Sequence, residues 1–365
     1  MKIGILTYHR SRNYGALLQA KALQEYVSSL GHEVYLIDYW PEYHDQMYKP
    51  FSWSLFKQFS IKSKFVYIRK FLFTGYRTYK RQRKTERYID RYLLLSNDKK
   101  YDVVLYGSDQ IWRKQNFGGF KGYNPVYFGE GYVETSHKIA YAVSMGKIEI
   151  DTDDDKAFIK DHLQMFDAIS IREIDLIDFL EQEFGTRYQL VCDPVMLLNK
   201  EQMLKNVDIS FIPSEKYIFY YRLKDLKSTD QIVKEIVRQT GYRVVEFRGH
   251  IPYFHYGRRY RVTADAQEFL SLLSGAEYVV SSSFHGVALS ILLEKQFFTI
   301  SKIERASRLV SLLTELGLTD RFVKGADVNI EKKIDYKLVS ERLQTFSNQS
   351  REWLKEQLSK AEITV

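Results

Sequence analysis

Cysteine is almost absent from this chain: Cys192 stands alone among 365 residues. No intrachain disulfide can form, and a reducing compartment is expected. Proline is scarce, with six residues, and no low-complexity tract occurs, which excludes long flexible linkers. No apolar run is long enough to cross a bilayer. The opening, MKIGILTYH, passes directly into a polar turn and reads as a first strand, not a signal peptide. There is no GxxxxGK loop and no GxGxxG, so neither a P-loop nor a dinucleotide site is signalled. CxxC and HExxH are also missing. His250 and His255 lie close together, but Pro252 intervenes and no acid accompanies them, so no metal site is expected. Cys192 ends an apolar stretch and reads as buried, not nucleophilic.

What is present is globular. The chain is 45% hydrophobic and 27% charged, long enough for two domains. Its net charge is +8, and it holds 28 Tyr and 23 Phe. The charge is uneven. Residues 57–91 carry twelve Lys or Arg against two acids, Glu86 and Asp90, with aromatic and aliphatic residues interleaved. The pattern predicts one or two amphipathic helices, broken near Gly75. Such a segment can lie on an anionic membrane. The plainer reading is a helix packed on the core with a solvated basic face. No helix-turn-helix, zinc finger or RNA-binding signature accompanies the charge, so no nucleic-acid partner is expected. Arg243, Arg248, Arg258, Arg259 and Arg261 form a second basic group, read either as an anion holder or as a surface loop.

Around that segment, strand and helix alternate. Strands are expected at 2–7, 34–38, 102–106, 138–143, 168–171 and 189–192, with helices at 15–30, 153–165 and 172–184. A second series begins near Lys216, with strands at 217–221, 243–247, 278–281 and 297–300. Helices are expected between them at 228–240, 265–274 and 286–294, and then at 306–316. The fold class is therefore α/β, with two doubly wound Rossmann-like domains facing each other. The first is expected over 1–200, with a basic helical insertion about 45–98, and the second over 201–334. A polar helix at 335–365 is expected to pack back on the first domain.

The most informative stretch is EYVVSSSFHGVALSILLEKQFFTI, residues 277–300. It reads as strand, tight turn, helix, strand. His285 then stands beyond the carboxyl end of a parallel strand, beside a helix N-terminus, where open sheets bind ligands and unpaired N–H groups favour anions. A helix-capping turn with a space-filling His is the competing reading. Other polar residues also follow strands: Asn13 with Arg12, Tyr14 and Gly15; Ser108, Asp109 and Gln110; Ser144 and Gly146; Arg172 and Glu173; Asp193. All would line one crevice. Gly107 and Gly286 would let a ligand approach the backbone. Arg172 offers a fork for a carboxylate or phosphate, or an ion pair with a neighbouring acid. Asp193, before Pro194, reads as a turn former.

Several motifs together resemble a known family: NYGALLQAKAL near the start, YGSDQIW (106–112), AYAVSMG (140–146), SIRE (170–173), CDPVMLL (192–198), SSSFHG (281–286) and SRLVSLLTELGLTDR (307–321). They look like the polysaccharide pyruvyl transferase family. The resemblance implies a GT-B-like two-domain fold. It also implies transfer of the enolpyruvyl-derived unit of phosphoenolpyruvate to a sugar of a cell-surface polysaccharide or its lipid-linked precursor. A pyruvate ketal forms and phosphate leaves. Phosphoenolpyruvate is then donor substrate and no cofactor is expected. The protein would be cytoplasmic, at the inner face of the cell membrane if residues 57–91 dock there.

On that reading His285 is the acid–base group and Asp109 a second one. Arg172, Arg308, Ser283 and Gly286 would hold the donor. Asn13, Ser108 and Gln110, with Asp109 as an alternative, would hold the acceptor. Some members of the family carry Arg two residues before the motif His. Here that residue is Ser283, so Arg308 or Arg172 would supply the charge. A sugar-nucleotide glycosyltransferase and a non-catalytic sugar-binding protein are the alternatives on this fold.

Overall fold

The computed structural model describes all residues except 118–119, 224–226, 253–259, 301–305, 324, 326–327 and 365. The first βαβ unit is β1 (Lys2–Leu6), α1 (Tyr14–Ser29) and β2 (Glu33–Ile37). Asn13 starts α1, its Oδ1 accepting from the Gly15 N–H at 3.1 Å. Three helices follow, α2 (Glu42–Tyr48), α3 (Trp53–Gln58) and α4 (Ile61–Tyr92). The chain returns through β3 (Leu95–Ser96) and β4 (Lys100–Tyr106), then a hairpin of β5 (Gln115–Phe117) and β6 (Phe120–Gly122). Next come β7 (Glu134–Val143), α5 (Asp153–Leu163), β8 (Ala168–Ile171), α6 (Ile174–Phe184) and β9 (Gln189–Leu190). These strands form a seven-stranded sheet in the order β3-β2-β1-β4-β7-β8-β9, parallel throughout.

After α7 (Lys200–Leu204) a second series begins. It comprises β10 (Tyr217–Arg222), α8 (Lys227–Thr240), β11 (Arg243–Arg248), β12 (Tyr260–Arg261), α9 (Ala266–Ser274), β13 (Tyr278–Ser281), α10 (Phe284–Leu292), β14 (Gln296–Thr299) and α11 (Ser307–Glu315). Its five strands are also parallel, in the order β12-β11-β10-β13-β14. β1 lies between β2 and β4, and β10 lies between β11 and β13. Each sheet thus has a switch point where successive connections diverge, and a crevice opens there. Two facing Rossmann-like sheets of this kind are the GT-B arrangement.

The sheets are held together by contacts the apolar pattern does not announce. Tyr14 of α1 stacks on Phe269 of α9, ring centroids 4.7 Å apart. Arg81 of α4, 2% exposed, donates to the carbonyls of Arg248 (3.2 Å) and Gly249 (3.1 Å) beside one sheet and Arg12 (2.9 Å) beside the other. α12 (Tyr336–Thr364) starts against the second sheet, where the Tyr336 hydroxyl donates to the Lys295 carbonyl. It ends on the first, where Ser350 Oγ accepts from the Cys192 N–H at 2.9 Å and Trp353 faces Tyr141.

Two expectations need correction. α4 does not break at Gly75. The Phe71 ring occupies the space beside Gly75, 2.9 Å from where a Cβ would stand, so the glycine serves close packing within one continuous helix. The stretch 189–192 pairs only over Gln189–Leu190, because Asp193 and Pro194 start a short 3-10 turn. Among the described residues, no helix is long and apolar enough to cross a membrane.

Candidate active site

A cleft of about 320 Å³ lies where the two switch points meet. The loops after β1, β4 and β13 supply Asn13, Asp109, Gln110 and Ser283 to its wall, α10 supplies His285, and α11 supplies Arg308. Trp40, His44 and Tyr48 close one side, and Arg113 and Lys147 add cations at the rim. A second cleft of about 460 Å³ adjoins it and shares Trp40 and Tyr48.

His285 lies in the first turn of α10 and is 3% exposed. Its Nε2 stands 3.4 Å from Asp193 Oδ2. Its other edge abuts Gly15 of the facing half. A Cβ on Gly15 would fall 2.3 Å from the His285 Cβ and Cγ and 2.4 Å from Nδ1. The imidazole is therefore pinned between a carboxylate and the start of α1. Ser283 precedes α10 without capping it through its side chain, which leaves the first N–H groups of that helix unclaimed by it.

Beneath His285 lies a buried ion network. Arg172 Nη1 bonds Asp193 Oδ2 and also Ser108 Oγ at 3.2 Å. Its Nη2 meets Asp109 Oδ1 at 3.3 Å, and Glu173 lies 3.9 Å from its Nε. Glu173 in turn accepts from the N–H groups of Met145 (3.0 Å) and Gly146 (3.3 Å). Burial works against the Asp193 charge, but the neighbouring His285 imidazole, the Arg172 charge and the Val195 N–H outweigh it and hold the carboxyl well below its ordinary range. Burial likewise opposes the Arg172 charge, and Asp193, Asp109 and Glu173 overcome it. For Glu173 burial wins and its carboxyl is pushed up.

Arg308 has a different environment. Burial, then the nearby Arg172 charge, pulls its guanidinium down to about 10. It faces Gln110, whose carboxamide oxygen, turned toward it, accepts from both Nη groups, 3.1 Å from Nη1. Phe284 sits between the two arginines, its ring centroid 5.0 Å from the Arg172 guanidinium and 5.5 Å from that of Arg308. Among the described residues no carboxylate forms an ion pair with Arg308, which lines the cleft, whereas Arg172 is enclosed by acids.

The structure brings Asn13, Asp109, Gln110, Ser283, His285 and Arg308 to one cleft wall. It leaves other expected residues off that wall, among them Tyr14, Ser108, Ser144, Arg172, Glu173, Asp193 and Gly286. Arg172 is not at the mouth of the crevice: its side chain is 1% exposed and occupied by the network. Ser108 is fully buried and bonds Ala142 O, Arg172 and Asp193. Gly286 faces inward, where a Cβ would meet Ser281 Oγ at 2.3 Å, and Gly107 likewise leaves room for the Tyr141 carbonyl. Both glycines answer to protein packing, not to ligand approach. Asp193 does form its turn, accepting from Val195 N at 3.1 Å, and it is also the hub under His285.

In the second basic group, Arg243 pairs with Glu215, Arg248 with Glu246 and Arg261 with Glu268, so these cations do not converge. His255, Arg258 and Arg259 lie outside the described residues. Cys192 is buried, its thiol pushed up to about 11 chiefly by burial. Among the described residues, no group of three or more His, Cys, Asp or Glu is placed to hold a metal ion.

No curated protein matches the chain. Among solved structures, it is similar to the glycosyltransferase SnogD from Streptomyces nogalater, with 11% identity over 99% of both chains and a TM-score of 0.45. It is also similar to UDP-GlcNAc 2-epimerase from Neisseria meningitidis, with 10% identity over 99% of this chain and 100% of that one, and a TM-score of 0.47. A family model described as polysaccharide pyruvyl transferase matches residues 13–301, most of the chain. The chain belongs to the polysaccharide pyruvyl transferase family.

Proposed function

We propose that this protein transfers the enolpyruvyl-derived unit of phosphoenolpyruvate to two hydroxyls of one sugar, forming a cyclic ketal and releasing phosphate. The observation that carries this reading is the His285 imidazole, fixed by Asp193 at an uncapped helix start and facing a cleft that also holds Arg308. Phosphoenolpyruvate bears a carboxylate and a phosphate. Arg308, the rim cations Arg113 and Lys147, and the N–H groups of α10 suit such a dianion.

The steps balance without a redox partner. His285 gives a proton to the methylene carbon, which makes C2 electrophilic. A sugar hydroxyl adds to C2, and its proton returns to the imidazole. The C2–O bond to phosphate breaks, and phosphate leaves with that electron pair. The second hydroxyl closes the ring on C2, and its proton goes to the departing phosphate. Asp109, at the cleft wall with a left-handed φ of 71°, is the candidate to receive a hydroxyl proton on the way. Asn13, Gln110 and the face of Trp40 suit the sugar. Further sugar units of a polysaccharide precursor would continue past Trp40 and Tyr48 into the adjoining cleft. Arg172 acts from below as a positioning residue, holding Asp193 and Asp109 in place.

The test is phosphate release from phosphoenolpyruvate with a panel of nitrophenyl and lipid-linked sugars, followed by mass spectrometry. The product should gain about 70 Da over the acceptor, as the chemistry of the donor requires. His285→Ala should lower kcat by about 10²–10⁴-fold while the chain stays folded. A gain equal to a hexose, with nucleoside diphosphate released from a sugar nucleotide, would overturn the reading in favour of glycosyl transfer. Sugar binding without turnover would overturn it in favour of a binding protein.

A further inference from the structure

The outer face of α4 is the most unusual surface of the molecule. Of the nineteen exposed large hydrophobic side chains among the described residues, ten fall within 53–79. Scattered exposed apolar residues are ordinary, but a contiguous group is not. Six of the ten form a line. Ile61, Phe65, Ile68, Leu72, Tyr76 and Tyr79 recur at i, i+4, i+7, i+11, i+15 and i+18. At 100° per residue they share a wedge of about 80° and run about 27 Å along the helix. Four of them are more than seventy per cent exposed: Ile61 77%, Phe65 72%, Leu72 73% and Tyr76 76%.

The opposite side of the same helix is committed to the protein. Thr74, Arg81, Thr85 and Tyr88 are buried there, and Arg81 reaches both sheets. The first half of α4 is braced by α3 and its flanks, with Tyr67 Oη accepting from Ser52 N at 2.8 Å and Phe51, Phe56 and Phe59 ringed about Tyr67. The apolar line thus points directly outward on a held helix.

Charge identifies the occupant. Residues 51–85 contain ten Lys or Arg and no Asp or Glu. Lys62, Arg69 and Lys80 flank the line on one side and Lys64 on the other, so cations edge an apolar stripe. A second copy of this chain would bring like charges together on both edges. An anionic bilayer instead accepts the apolar side chains at its interface and the cations at its headgroups. We propose that this stripe, and not the whole basic segment, seats the protein on an anionic lipid surface. Residues 81–92 are excluded because no exposed large apolar side chain falls among them and Arg81, Thr85, Tyr88 and Ile89 are buried. The inference does not depend on the reaction assigned to the cleft.

The test uses the full chain and vesicles of phosphatidylcholine, alone or with phosphatidylglycerol, in a sedimentation assay. Binding should require the anionic lipid and should weaken as salt rises, since screening shortens to about 3 Å at 1 M. Phe65→Ser with Leu72→Ser should lower vesicle affinity by at least about tenfold while the melting temperature stays unchanged, because both side chains are solvent-facing. Lys62→Ser with Lys64→Ser should do the same and flatten the salt dependence. Equal binding to neutral vesicles, or unchanged binding by both variants, overturns the proposal. So does a wild-type dimer in light scattering that Phe65→Ser with Leu72→Ser dissociates, with no vesicle binding by either protein.

Discussion

Gly15 shows how a residue without a side chain can shape a candidate active site. It sits in the first turn of α1, where alanine would be the better helix former by about 1 kcal/mol. Its missing Cβ is the space that the His285 ring fills. Gly15→Ala should therefore lower kcat by about 10²-fold through a displaced imidazole, while the melting temperature moves by only a few degrees. Parallel kinetics and thermal melts on the purified variant check this, and unchanged kcat would show that the contact does not set the ring. The sequence placed Gly15 and His285 in loops after strands. It held no sign that they touch, because a contact between halves depends on how two sheets face each other. Asp193 was harder for another reason. A DP pair before a turn explains itself locally, so its second role as a hub was hidden.

His44 gives a residue-scale test of pH. It is buried among Tyr8, Trp40 and Tyr43, and burial, with a smaller contribution from His9, lowers its imidazole to about 4 from 6.5. The folded state thus disfavours the protonated ring. Stability from this group is fully present above pH 6.5 and falls as pH drops toward 4, because the unfolded chain takes up the proton first. The loss should total about 3 kcal/mol over that window. Melting curves between pH 7 and 5 should show a smaller decline for His44→Phe than for the parent. An identical decline in both would assign the acid sensitivity to other groups.

At the scale of elements, α4 serves two surfaces at once. Periodicity predicted its amphipathic character correctly, since the 3.6-residue repeat depends on sequence alone. It could not tell which half faces solvent, because the basic residues run through both. Arg81 decides this. In sequence it is one cation among twelve, yet in the structure it holds three backbone carbonyls at the edges of two sheets. Arg81→Met keeps much of the apolar stem and leaves those carbonyls unpaired. Hydrogen bonds to a charged donor are worth more than neutral ones, so we expect a loss of about 3 kcal/mol. Denaturant unfolding would measure it, and a loss as small as that of Lys80→Met would place Arg81 among the solvated charges.

Across the whole molecule, the two parallel sheets were legible because buried strands of Val, Ile, Leu and Tyr stand out between helices at regular intervals. The hairpin of β5 and β6 and the short helices α2, α3 and α7 were not, since brief elements hold too few residues to show a period. α12 joins both sheets, and Cys192 reports on it. Leu354 of α12 is fully buried, and a charge there without a partner is strongly disfavoured. Leu354→Asp should loosen the end of the helix and expose the region around Cys192. Labelling by a thiol reagent should then accelerate by about tenfold or more, because reactivity follows access and thiolate fraction. Unchanged labelling would mean that Cys192 is shielded by its own sheet and not by α12.

The pinning of His285 has a consequence for timing. Its ring belongs to one half of the molecule, while the carboxylate and the glycine that fix it belong to the other. Separation of the halves by a few ångströms would leave the imidazole with neither neighbour. Under the proposed reaction the arrangement would work as an interlock, with the proton donor armed only when both contacts are made. Under the proposed reaction, an activated pyruvyl centre then forms only in a closed chamber, where bulk water is kept from competing with the sugar hydroxyls.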